Sequence, residues 1–194
     1  MARAIYTNPN RIRYKFTDKE MAHLWKVAEV RQSPKENNTH ARDKRRVLLP
    51  NVEMHLIGLL GEYAFSKFVG VEMDENGYLG GDIEKDFLID GNKIEIKTLQ
   101  GYLVFDVQNF DAEFCADIAV LAIFNRDPGD RTILHNVSLE GWITKEEFIN
   151  KRFIDDFGYG PRYCVQPDVL NAMDELPGLH KPLRVIQAQF AWNA

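Results

Sequence analysis

With 194 residues, 45% hydrophobic and 27% charged, the chain has the size and composition of one globular domain able to bury a sizeable core. No apolar run approaches the roughly 18 residues of a membrane span, and MARAIYTNPNRIRYKF lacks an apolar stretch of signal-peptide length, so a cytoplasmic protein without a membrane partner is expected. The net charge of −5 hides an asymmetry: residues 1–50 hold 12 Lys/Arg against 5 Asp/Glu, and the remainder holds 12 against 24. A basic arm on an acidic body suits phosphate binding at one end and cation binding at the other, and equally a plainly solvated surface.

Residues 1–16 read as irregular or extended, with basic and aromatic side chains interleaved. Arg11, Arg13 and Lys15 can grip phosphates there while Tyr14 or Phe16 stacks on bases; a solvated arm is the rival reading. Thr17 and Glu20 have capping-box spacing, and Met21, Leu24, Trp25 and Ala28 then fall on one helical face. Residues 32–50 form a long polar loop carrying Arg42, Lys44, Arg45 and Arg46, a second candidate phosphate contact. The next helix starts at Asn51 and ends at Gly70. Its small residues Gly58, Gly61 and Ala64 permit close packing on a sheet, and Glu62 sits in its apolar middle.

An acidic, Gly-rich loop covers residues 71–81, and Asp74, Glu75, Asp86 and Asp90 read as solvated loop charges. Strand-like stretches at 82–89 and 93–99 flank the turn signal Asp90-Gly91-Asn92 and predict a hairpin. Further strands are expected at 102–107, 117–124 and 132–140. Thr144 and Glu147 predict a capped helix, with Ile143 and Phe148 at hydrophobic-staple spacing. A strand at 162–165, a short helix near 168–176 and an extended segment at 183–190 complete the chain. Cys115 and Cys164 lack metal-ligand spacing and read as thiols, with one disulfide left open. The order of elements predicts an α/β or α+β sheet with helices against it.

The chemistry concentrates in Lys93-Ile94-Glu95-Ile96-Lys97. Strand alternation turns Ile94 and Ile96 to one face and Glu95 with Lys97 to the other. A hairpin can return Asp82 to Glu95. Two adjacent carboxylates repel unless a cation separates them, and a hard cation such as Mg²⁺ or Mn²⁺ prefers such oxygen ligands. Lys97 can then orient or activate a water whose pKa the metal lowers, and offset charge on a phosphate. Glu62 can add a third carboxylate, and the Ile96 carbonyl a further ligand.

Gly58-Leu59-Leu60-Gly61-Glu62, Gly81-Asp82 and Glu95-Ile96-Lys97, in that order, resemble the PD-(D/E)xK nuclease superfamily over roughly residues 50–150. Gly81 stands where that motif has proline. The resemblance implies a restriction-endonuclease-like α/β fold, a central mixed sheet flanked by helices. It gives residues 1–50 as a basic N-terminal helix and arm, and 51–194 as a nuclease-like core with a C-terminal extension. It implies a Mg²⁺- or Mn²⁺-dependent deoxyribonuclease, an endonuclease by expectation. Asp82, Glu95, Ile96 and Glu62 then hold the metal, Lys97 assists the water, and Arg42, Lys44, Arg45, Arg46, Thr98 and Gln100 contact DNA. RNA as substrate and a homodimer both stay open. A phage or mobile-element origin, in a bacterial host cytoplasm, also follows from the resemblance alone.

The rival readings are concrete. Asp82 can be a turn residue, Glu95 and Lys97 an exposed strand face, and Glu62 the partner of a buried base. The function-level alternative is a catalytically inactive nuclease-fold protein that binds DNA or serves assembly.

Overall fold

The computed structural model describes residues 8–32, 51–76, 86–126, 132–156, 158 and 160–179. Strand β1 (Ile12–Lys15) leads into helix α1 (Asp18–Gln32). The expected capping box forms: Glu20 Oε2 accepts from Thr17 N at 2.8 Å, and Glu20 N donates to Thr17 Oγ1 at 3.3 Å. The buried face is Met21, Leu24, Val27, Ala28 and Arg31. Trp25, expected on that face, is 41% exposed. Val27 takes the inward position instead, because the i, i+3, i+6, i+7 stripe through Met21 points at helix α2 (Asn51–Val69).

Two helices and a mixed sheet then form one core. The sheet order is β1-β6-β5-β3-β2, with β2 (Phe87–Ile89), β3 (Asn92–Leu99), β5 (Ile118–Arg126) and β6 (Ile133–Thr144). β3 and β5 run parallel; the other pairs are antiparallel. The β2–β3 hairpin turns on Asp90 and Gly91, both left-handed at φ 46° and 83°, the conformation a two-residue hairpin loop demands. α2 lies close on this sheet because Gly61 has no side chain. A Cβ there would stand 2.1 Å from Thr98 Oγ1 and 2.9 Å from Ala122 Cβ.

The other face of the sheet carries a second core. A three-stranded antiparallel sheet, β4-β8-β7, is built from β4 (Leu103–Asp106), β7 (Phe153–Asp156) and β8 (Pro161–Val165). With α3 (Phe110–Glu113) and α4 (Lys145–Lys151) it covers Ala119, Leu121 and Ile123. α4 has the expected capping box, Thr144 with Glu147. The sequence does not announce α3 or β7, because four residues are too few to show a period. No disulfide joins Cys115, which is exposed, to buried Cys164. Among the described residues no helix is long and apolar enough to cross a membrane. The chain is thus a mixed α/β protein with helices flanking a mixed sheet, as the element order predicts. The extended segment expected at 183–190 lies outside the described residues.

Candidate functional site

β3 distributes its side chains as its alternation predicts. Ile94 and Ile96, at 0% and 6% exposure, face α2. Glu95 and Lys97 face the second core and meet there, Lys97 Nζ lying 2.6 Å from Glu95 Oε1. The ammonium stands 5.4 Å from the centroid of the Phe105 ring, which stacks on Phe114 at 4.5 Å. A cation over a buried aromatic face is held by both packing and the ring quadrupole. The side chains retain 26% and 19% exposure, so the pair is walled in but reachable from solvent.

The carboxylate that the hairpin brings toward Glu95, among the described residues, is Asp86. The register pairs Phe87 with Ile94, which sets Asp86 beside Glu95. Asp86 N donates to Ile94 O at 3.0 Å, and Asp86 Oδ2 accepts from Ile96 N at 2.6 Å. The Asp86 side chain thereby replaces a strand carbonyl where β2 begins. Backbone alternation directs the Ile96 carbonyl to the same side of β3 as its N–H, so it too faces the Asp86 arm. Read from sequence as a solvated loop charge, Asp86 is instead a partly buried group at the foot of the hairpin. The signal for it was the turn itself, since a two-residue loop at Asp90-Gly91 fixes which residue opposes Glu95. Asp82 lies outside the described residues, as do Arg42, Lys44, Arg45 and Arg46.

Glu62 is not brought to this pair. It stands on the helical side of the sheet, 8% exposed, with Oε1 accepting from Arg31 Nη1 at 3.0 Å and Oε2 from Nη2 at 2.8 Å. Arg31 also donates to the Asp74 carbonyl. The burial cost of the carboxylate is therefore offset by a bidentate guanidinium, without a metal. Thr98 likewise faces the helices, its hydroxyl donating to the Gly58 carbonyl at 3.2 Å. Gln100 is exposed just past the end of β3. Among the described residues no three His, Cys, Asp or Glu side chains gather closely enough to hold a metal ion.

A separate polar cluster lies between β1 and the helices. Glu20 Oε1 accepts from Tyr14 Oη at 2.5 Å and Tyr63 Oη at 3.1 Å, while Oε2 accepts from Thr17. Burial pushes the Glu20 carboxyl up, but these donors outweigh it and hold the group below its ordinary value. Burial and the Glu20 charge push the Tyr63 phenol up to about 12, and burial with the Glu20 hydrogen bond raises Tyr14 also. A cleft of about 490 Å³ opens here, with Lys15, Lys19 and His23 among its walls. Its carboxylate joins β1, α1 and α2 through these hydrogen bonds. Tyr14 and Phe16, expected to stack on bases, are 3% and 2% exposed and belong to the core. Alternation along β1 turns them inward.

Comparison with known protein families, with curated proteins and with solved structures found no match.

Proposed function

We propose that the protein is a Mg²⁺- or Mn²⁺-dependent hydrolase of DNA phosphodiester bonds with a restriction-endonuclease-like fold. The observation that carries this reading is the Glu95–Lys97 pair, 2.6 Å apart on one face of β3 and partly exposed. Its setting supports it: a helix, a hairpin ending in the ExK strand, and a crossover to parallel β5 follow the order of PD-(D/E)xK nucleases. Hard oxygen donors suit Mg²⁺, and Glu95, the Ile96 carbonyl and an aspartate of the β2 arm would hold it. When bound, the cation supplies Lewis acidity toward phosphoryl oxygens and lowers the pKa of water. With Glu95 holding a cation, Lys97 would be free to place its ammonium near a nucleophilic water or a phosphate oxygen. Phe105 limits where that ammonium can go. The aspartate is Asp82 by the motif or Asp86 by the hairpin register.

A second reading has its own support. Glu95 already has Lys97 as partner and Glu62 already has Arg31, so neither carboxylate requires a metal to be stable. That favours a nuclease-fold DNA-binding or assembly protein that does not cut.

Cleavage of plasmid and oligonucleotide DNA in Mg²⁺ and in Mn²⁺ separates the two. Wild type should cut, and Glu95→Gln and Lys97→Ala should each lose about 100-fold or more. Asp82→Asn and Asp86→Asn, run beside them, identify the second acidic ligand by which one loses activity. Equal cleavage by wild type and all four variants sinks the site. Binding without cleavage in either metal favours the non-cutting protein.

A further inference from the structure

The Tyr14–Glu20–Tyr63 cluster opens on a cleft that the proposed reaction does not use. Its volume of about 490 Å³ lies within the range of small-molecule sites and far exceeds a single ion. Three elements wall it: Lys15 comes from β1, Lys19, Glu20 and His23 from α1, and Tyr63 from α2.

What a ligand can find there follows from the donors and acceptors. An ionised carboxylate offers about four lone-pair positions. Glu20 has filled them: Oε1 accepts from Tyr14 Oη and Tyr63 Oη, and Oε2 from Thr17 N and Thr17 Oγ1. It has no position left for a donor on a ligand, and the phenols and the Thr17 hydroxyl have spent their hydrogens on it. The backbone of the first turn is engaged too, since Glu20 N donates to Thr17 Oγ1. What remains to a ligand is ammonium. Lys19 is exposed at the cleft and makes no ion pair among the described residues, while its neighbour Asp18 is turned to His135, 3.4 Å away. Lys15, which already has a partner, adds its charge to the β1 wall. The Lys67 ammonium stands 4.8 Å from the centroid of the Tyr63 ring. His23, one turn beyond Lys19, is held by Glu75 at 2.8 Å, so the acid at this rim is itself paired.

An anion is therefore the group that this cleft can hydrogen-bond. Ammonium groups act as point charges and suit a tetrahedral phosphate, whereas a planar carboxylate is matched by a guanidinium fork, and among the described residues no arginine lines these walls. The remaining volume, beside the half-buried Tyr63 ring, leaves room for an organic group.

We propose that this cleft binds a small phosphate monoester, its phosphate held by Lys19 in the positive field of Lys15 and its organic group against Tyr63. The cleft lies on the helical side of the sheet, and Glu95 and Lys97 face the other side, so the proposal stands or falls apart from the hydrolase reading.

The test is a nuclear magnetic resonance titration of the nitrogen-15-labelled full chain with thymidine monophosphate, in EDTA so that no metal-dependent step intervenes. Saturable shifts of the Lys19, His23 and Tyr63 amides are expected, and none with thymidine. Lys19→Gln should weaken binding about tenfold, the worth of one charge-assisted hydrogen bond. Lys26→Gln, the same charge change at another exposed position of the same helix, should leave the affinity within about twofold. Both lysines are exposed, so neither variant disturbs the fold. Inorganic phosphate should displace the ester only at higher concentration; equal affinity overturns the ester and leaves a bare anion site. Hexathymidine carrying a terminal phosphate separates two sources of the same chemistry. Displacement by it gives a strand end as the source, no displacement gives a free ester, and either upholds the cleft. Failure to saturate at millimolar ester, equal shifts with thymidine, or equal loss in both lysine variants overturns it.

Discussion

Arg31 and Glu62 show how a single buried charge is read differently before and after its neighbours are known. In sequence, a carboxylate in the middle of an apolar helix suggests a cation to offset it. Arg31 lies 31 residues earlier on another helix, a separation no local pattern reports. Removing one partner of such a pair strands the other, which costs about 3–5 kcal/mol. Arg31→Met should therefore lower the urea midpoint severely, and adding Glu62→Gln should recover part of the loss. Glu62→Gln alone also separates the roles: a structural carboxylate loses stability while activity per folded molecule holds. A metal ligand loses activity in the folded fraction. Glu20 gives a pH signature at the same scale. Its carboxyl is held below its ordinary value of 4.5, so its stabilisation is present above that value and lost as pH falls through the folded one. Tyr63 is raised from 10.0 to about 12, so its contribution is present below pH 10 and lost as pH climbs to 12. Urea unfolding across pH should show both edges, with Tyr63→Phe flattening the alkaline one and Glu20→Gln the acid one.

Elements were legible where a period or a cap repeated itself. Both capping boxes, the α2 helix and the Asp90-Gly91 turn follow from residues within four positions of each other. The hairpin arm was less legible. Its expected start at residue 82 lies outside the described residues, and the described β2 begins at Phe87, after Asp86 has capped the ladder with its side chain. That substitution of carboxylate for carbonyl leaves no period behind it. The small residues of α2 predict close packing on a sheet, and its contact with β3 and β5 can be tested directly. Gly61→Ala places a methyl 2.1 Å from Thr98 Oγ1, which forces the helix off the sheet. Overpacking of this kind costs about 1–3 kcal/mol. Adding Thr98→Ala should restore only part of the stability, because Ala122 Cβ remains 2.9 Å away. Full restoration in thermal melts would mean that α2 meets the sheet through Thr98 alone.

At the scale of the whole molecule, β5 binds the two cores together. Val120 and Ala122 pack toward the helices, Ala119, Leu121 and Ile123 toward the second sheet, and all but Ile123 are fully buried. A strand buried on both faces reads in sequence as an unbroken apolar run, which is why its position was clear while the layer behind it was not. The second sheet is assembled from short segments far apart in the chain, and no local rule pairs β4 with β8. Because β5 serves both cores, damage to one should be felt by the other. Phe105→Ala empties the centre of the second core, where Phe105 contacts Phe110, Phe114 and Phe148, and should cost about 3–5 kcal/mol. Two signals report the consequence. Trp142 belongs to the first core and reports it by fluorescence in a background with Trp25→Phe and Trp192→Phe, while far-UV circular dichroism reports the whole backbone. In a cooperative unit both midpoints fall together, by the same denaturant interval. Two separated transitions, with Trp142 unmoved, would show that the β4-β8-β7 layer melts by itself. Lys97 would then lose its aromatic support while the strand that carries it stays folded.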